Sequence, residues 1–127
     1  MPKQRDEGPR KGHVTGIGGV FFRAKHREGL AAWYHEVLDL PVTDTASARL
    51  GDTVWAAFDQ DTSYFGLNRQ AYMVNYRVDD LAAAMQRLRE AGATVSSEVQ
   101  EDEYGRFAWA EDPEGTRFEL WQPAEGR

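Results

Sequence analysis

The feature that most limits what this 127-residue chain can become is an internal repeat. Leu30-Ala-Ala-Trp-Tyr, followed by Val37, is matched at one fixed offset by Leu81-Ala-Ala-Ala-Met, followed by Leu88. Both segments carry apolar residues at helical spacing. Each comes after a strand-like stretch with an arginine near its end, Arg23 in the first half and Arg77 in the second. A single strand–helix–strands unit leaves one sheet face bare, so two of them must pair to enclose a core or a cleft.

Taken in order, Gly16 to Arg23 reads as a strand, with Gly19, Phe21 and Arg23 on one face and Gly18, Val20 and Phe22 on the other. Arg27 to Leu40 reads as a helix carrying Leu30, Trp33, Tyr34, Val37 and Leu38, with Pro41 as its stop. Val42 to Leu50 is a weaker strand region and Thr53 to Phe58 a firmer one. Gln60 to Gln70 is polar and turn-rich, a connection between the halves. The pattern then restarts. Ala71 to Val78 forms a strand, and Asp79 or Asp80 caps a helix from Leu81 to Glu90. Gly92 ends that helix in the left-handed conformation. Thr94 to Glu101, Arg106 to Ala110 and Thr116 to Gln122 supply three more strands. The last two are joined by the tight turn Asp112-Pro-Glu-Gly115. The expected organisation is a flexible tail over residues 1–13, one domain over 14–123 and a short tail over 124–127. Within the domain, modules at about 14–60 and 71–123 flank a linker at 61–70.

The final strand is the most informative. Arg117, Glu119 and Trp121 alternate with Phe118 and Leu120. Tryptophan rarely faces open water, so the face that carries Arg, Glu and Trp is expected to line a cavity.

Composition narrows what that cavity serves. The net charge of −6 and pI near 5.0 argue against nucleic acid or an anionic membrane as partner. No apolar run approaches the roughly 20 residues of a membrane span. There is no cysteine, which excludes disulfides and thiolate chemistry, and the basic N-terminal stretch lacks an apolar core for a secretory signal. The expected location is cytoplasmic.

The repeated βαβββ pattern resembles the vicinal oxygen chelate superfamily, the glyoxalase, bleomycin-resistance and extradiol-dioxygenase group. The resemblance rests on Gly16-Ile-Gly-Gly-Val-Phe-Phe-Arg-Ala, Leu30-Ala-Ala-Trp-Tyr, Asn75-Tyr-Arg-Val-Asp-Asp-Leu and above all Asp112-Pro-Glu-Gly-Thr-Arg-Phe-Glu-Leu-Trp121. It implies an α+β fold of two tandem βαβββ modules that curl into a partial barrel around a cleft, and a homodimer. It also implies a divalent metal held by His, Gln or Glu on the facing strands, with Glu119 as the final-strand ligand. The remaining ligand positions fall at Gly19, near Trp55 to Ala57, and at Met73. None is a ligand for a hard ion, and a catalytic site needs about three. No metal or other cofactor is therefore expected. His13, His26 and His35 share no phase with Glu119 and read as surface residues.

Glu119 is the candidate catalytic residue, and Phe21, Arg23, Trp55, Asn75, Arg77, Arg117 and Trp121 are expected to line the cleft, with Tyr104 and Arg106 near its rim. Aromatic walls and guanidinium groups suit a small aromatic or anionic molecule. Tyr64 and Phe65 serve either a dimer contact or a fold under the linker. Three functions stay open. The chain binds or sequesters a small molecule without catalysis; it is a metal-free lyase or isomerase with Glu119 as base; or it is a lyase or dioxygenase with a shifted metal site. The same residues also have a structural reading, in which Glu119 only pairs with Arg23 or Arg77 and the aromatics fill the core.

Overall fold

The computed structural model of the chain describes residues 11–66 and 69–125. The elements run β1 (Val14–Ala24), α1 (Arg27–Leu38), β2 (Ser47–Leu50), β3 (Thr53–Asp59), β4 (Tyr72–Val78), α2 (Leu81–Glu90), β5 (Thr94–Val95), β6 (Gln100–Asp102), β7 (Gly105–Glu111) and β8 (Arg117–Pro123). The strands form one open sheet in the order β2-β3-β1-β4-β8-β7-β5, with β6 paired to β7. The sequence repeat survives in the pairing. β1 runs parallel to β3 just as β4 runs parallel to β8. The halves meet where β1 and β4 pair antiparallel, Val20 opposite Val74. This is the α+β, two-module architecture that the repeat implied.

Both helices cover the same side of the sheet. Leu81, Ala84 and Met85 of α2 bury against Val78, Ala108 and Leu120. Ala31 of α1 buries against Ala24 and Ala57, with Phe22 and Trp55 packed alongside. Residues opposite one another in a ladder share a face. Gly19, Phe21, Met73, Asn75, Glu119 and Trp121 therefore stand on the other, helix-free side. Between the helices, Val14, Ile17 and Val20 of β1 are left partly exposed on the helix side.

Local chemistry explains where elements end. Asp80 caps α2 by accepting from the Ala83 N–H at 3.0 Å, while Asp79 accepts from the Gly12 N–H at 2.7 Å. Gly92 follows α2 at φ 86°, a conformation that costs glycine little. Helix α1 stops at Leu38 rather than Leu40, because Asp39 turns left-handed at φ 58° and its N–H donates back to His35. The single strand expected over Thr94 to Glu101 is split. Ser96 donates its N–H to the Trp109 carbonyl at 2.7 Å but accepts the Trp109 N–H on its hydroxyl at 3.1 Å. A side chain replaces a backbone acceptor there and the ladder breaks. Only Ser47–Leu50 of the Val42 to Leu50 region is a strand, with Val42 making an isolated bridge to Ala48. Most of the expected N-terminal tail, residues 1–10, and the last two residues of the C-terminal one lie outside the described residues.

One side chain ties the connection between the halves at three points. Arg23 donates to the carbonyls of Gln70 (2.9 Å), Gln60 (2.9 Å) and Thr62 (2.8 Å), and its guanidinium lies 5.0 Å from the centre of the Phe65 ring. Arg23→Met keeps the aliphatic stem and removes all three bonds. It is expected to cost about 2 kcal/mol and to raise amide hydrogen exchange selectively in residues 60–70. Uniform exchange across the sheet would contradict this anchoring role.

Candidate functional site

The site is built on β8 and its neighbours. The parallel register sets Glu119 beside Asn75 on the helix-free face. The antiparallel register sets Trp109 on its other side. Glu119 is only 1 % exposed. Asn75 Nδ2 donates to Glu119 Oε1 at 2.6 Å, and the Tyr64 hydroxyl donates to Oε2. Tyr64 comes from the connection rather than the sheet. Its ring stacks on Phe58 (5.2 Å, 10°) and meets Trp109 edge-on (6.1 Å, 89°), with Phe21 6.4 Å away. Phe65, beside it, is fully buried against Phe58, Met73 and Trp109. Both residues thus fold under the connection, one of the two roles that the sequence left open.

Electrostatics follow from this burial. Removal from water pushes the Glu119 carboxyl above its ordinary range. Donation from Tyr64 and Asn75, the nearby Trp109 indole and the charge of Arg117 offset part of that rise. Burial also pushes the Tyr64 phenol up, reinforced by the Glu119 charge, so the phenol keeps its proton and serves as donor. Three buried side-chain atoms in the described residues lack a hydrogen-bond partner: Asn75 Oδ1, Trp109 Nε1 and Arg117 Nε. All three belong to residues around Glu119. An orphaned buried polar group costs about 1–3 kcal/mol, which makes this cluster around one carboxylate a candidate site.

The other expected residues divide. Phe21 and Trp121 stand on the helix-free face, Phe21 against Phe58 and Trp121 stacked on Phe107 (5.8 Å, 3°). Arg117 lies 5.4 Å from the Trp109 ring centre. Trp55, expected on this face, is on the opposite one, edge-on to Phe22 and Tyr34 beneath α1. Its neighbours Val54, Ala56 and Phe58 hold the helix-free positions. Arg106 shares the face of Gln122 and Ala108, the helix-covered one. Arg23 is committed to the connection, and Arg77 donates to the Asp52 carbonyl at 2.6 Å. Neither pairs with Glu119. Tyr104 is half exposed at the β6–β7 turn, where its carbonyl accepts from Trp121 Nε1 at 2.8 Å. The three histidines lie away from the site: His13 meets Asp79, His35 meets the Leu40 carbonyl, and His26 precedes α1.

The residues around Glu119 do not fit a divalent metal. Among the described residues no three His, Cys, Asp or Glu stand together. A side chain at Gly19 would begin 2.7 Å from the Phe21 ring, so an aromatic edge occupies the space where a ligand would project. The remaining neighbours of the carboxylate are a phenol, an amide and an indole.

Sequence reasoning did not place Tyr64, Phe58, Phe107 or Trp109 around Glu119. For Phe107 and Trp109 the signal was present, since Phe-Ala-Trp-Ala puts both large rings on one face. For Tyr64 there was none, because the connection has no periodicity.

Two strand–helix–strands modules in one open sheet, with two strands after the helix in the first (β2, β3) and four in the second (β5 to β8), define this as a protein of the vicinal oxygen chelate fold. The chain belongs to the glyoxalase-like domain family, whose model matches residues 19–121. The anthracycline biosynthesis protein DnrV of Streptomyces peucetius is 30 % identical over 123 residues, covering 89 % of this chain. The chain spans 45 % of the length of that relative. Among solved structures, methylmalonyl-CoA epimerase from Mycobacterium tuberculosis superposes with a TM-score of 0.69 at 18 % identity, covering 93 % of this chain and 94 % of the epimerase. A variant of the Streptomyces coelicolor epimerase, in complex with 2-nitronate-propionyl-CoA, gives 0.72 at 16 % identity, covering 89 % and 97 %. At these identities the likeness is one of fold.

Proposed function

We propose that this protein binds a small, flat aromatic molecule in a cleft on the helix-free face of the sheet, and that binding needs no metal ion. The observation that carries the reading is the set of rings Phe21, Phe58, Trp109 and Phe107, with the Tyr64 ring laid among them, around a single buried carboxylate that retains unpartnered polar neighbours. Flat apolar walls with a few converging polar groups are the usual makeup of a small-molecule site. The raised proton affinity of Glu119 supports a second reading, in which the bound molecule also loses a proton to this carboxylate, as in a metal-free lyase or isomerase. A homodimer fits the same reading, since Val14, Ile17 and Val20 give a second copy an apolar strip to cover. Sedimentation velocity measures that directly.

Titration with 2-acetonaphthone tests the binding. Quenching of tryptophan fluorescence is expected to saturate in the micromolar to low-millimolar range, with the same midpoint with or without EDTA. Linear, non-saturating quenching by every flat aromatic tried would overturn the proposal. A midpoint that collapses on chelation would overturn its metal-free part.

A further inference from the structure

The Tyr64 ring is held the way a bound aromatic molecule would be. It enters from a connection, lies flat on Phe58, meets Trp109 edge-on and presents its hydroxyl to Glu119. No strand or helix supplies it. The Trp109 indole stands opposite Glu119 in the ladder and edge-on to the Tyr64 ring, and its N–H, close to both oxygens, falls short of hydrogen-bond geometry with either. The indole nitrogen is itself buried, so this donor has no access to bulk water. Arg117 Nε is a second unpartnered donor, on the residue whose guanidinium lies near the same indole ring. The phenol therefore fills the apolar walls and the acceptor, but leaves the Trp109 donor without an acceptor oxygen; Arg117 Nε packs beside Gly66 of the connection. Asn75 Oδ1, the third orphan, lies against Gly18, off this line.

We propose that the ligand is an uncharged hydroxyaryl ketone, a flat ring with a hydroxyl next to a carbonyl, and that it binds by displacing the Tyr64 ring. This inference rests on the aromatic-binding reading above. The ligand hydroxyl takes over donation to Glu119 Oε2, and the adjacent carbonyl accepts from Trp109 Nε1. No bond is made or broken. Charge selects against an anion. The Glu119 carboxylate opposes one, and of the four arginines expected to greet it Arg23 and Arg77 already serve backbone carbonyls and Arg106 stands on the helix-covered face. The connection contributes a competitor as well as a cover, so the Tyr64 hydroxyl sets the affinity threshold that a ligand must exceed.

Three probes separate the terms on the full chain at pH 7: 1-hydroxy-2-acetonaphthone, 2-acetonaphthone, which lacks the hydroxyl, and 1-hydroxy-2-naphthoate, which replaces the ketone by a carboxylate. The hydroxy ketone is expected to bind about tenfold tighter than either of the others. Tyr64→Ala, which removes the competing ring, is expected to tighten its binding by about tenfold more. Tyr64→Phe keeps the ring and the fold while removing the competing donor, and is expected to tighten the hydroxy ketone but not 2-acetonaphthone. If no probe binds, the aromatic-binding reading itself fails. If 2-acetonaphthone or the naphthoate matches the hydroxy ketone, or if both Tyr64 variants leave its affinity unchanged or weaker, the aromatic reading stands and this inference is overturned.

Discussion

Replacing Phe65 by alanine is expected to destabilise the protein by about 3–5 kcal/mol, the largest effect of any single truncation in the connection. Phe65 belongs to neither module, yet it is fully buried, with Met73 beneath it and Phe58 5.3 Å away edge-on. Two terms add. The ring is transferred back to water, and the void it leaves cannot close, because Arg23 holds the backbone of the connection on both sides through Gln60, Thr62 and Gln70. Gln70 adds to this rigidity, donating to the Arg117 carbonyl and accepting the Arg117 N–H, both at 2.8 Å. Urea denaturation at unchanged m-value measures the loss. Tyr72→Ala is the control, since that ring is 58 % exposed, and is expected to cost under about 1 kcal/mol. A loss at Phe65 no larger than at Tyr72 would mean that the connection is an accessory to the fold rather than part of its core.

That expectation also shows where sequence reasoning reached its limit. The modules, the α2 cap and stop, and the Asp112–Gly115 turn were legible because each is a local rule. They rest on a period, a capping carboxylate or a glycine at positive φ. Glu119 and Asn75 were legible because β4 and β8 alternate cleanly. Trp55 was placed on the wrong side because Thr53 to Phe58 carries an aromatic on each face, Trp55 on one and Phe58 on the other. Size alone cannot choose between them. The roles of Arg23 and Arg77 were hidden for another reason. Their partners are backbone carbonyls, and sequence shows side chains but not which carbonyls converge. Tyr64 was beyond reach because its contact with Glu119 joins positions 55 residues apart through a segment with no regular structure.

Neutralising Glu119 should reveal the cost of keeping a carboxylate there, through a signature that reverses the usual acid dependence. Burial raises the proton affinity of Glu119 in the folded chain above its ordinary value of 4.5. In the pH interval between that value and the folded one, the native protein holds a proton that the unfolded chain has lost. The unfolded state then binds fewer protons than the native one, so stability falls as pH rises, by at most about 1.4 kcal/mol per pH unit. The contribution of Glu119 is thus fully present below pH 4.5 and is lost as pH climbs through the folded value. Glu119→Gln keeps the shape, an acceptor for Tyr64 and a polar group for Asn75, but cannot ionise. Its stability is expected to equal that of the parent near pH 4 and to exceed it by roughly 1–2 kcal/mol at pH 8, because a buried charge has been removed without creating a void. The difference between the two proteins isolates this residue from every other titrating group, and chemical denaturation across pH 4–8 measures it. A gap that is flat with pH would mean that folding leaves the proton affinity of Glu119 unchanged, so that it ionises as an ordinary carboxyl does. Its donors and Arg117 would then offset the burial in full, leaving a carboxylate too weak a base to draw a proton from a ligand near neutral pH. A gap that opens as pH rises would instead leave a carboxyl poised between its two forms in an aromatic site, which is what the second reading, proton transfer, requires of it.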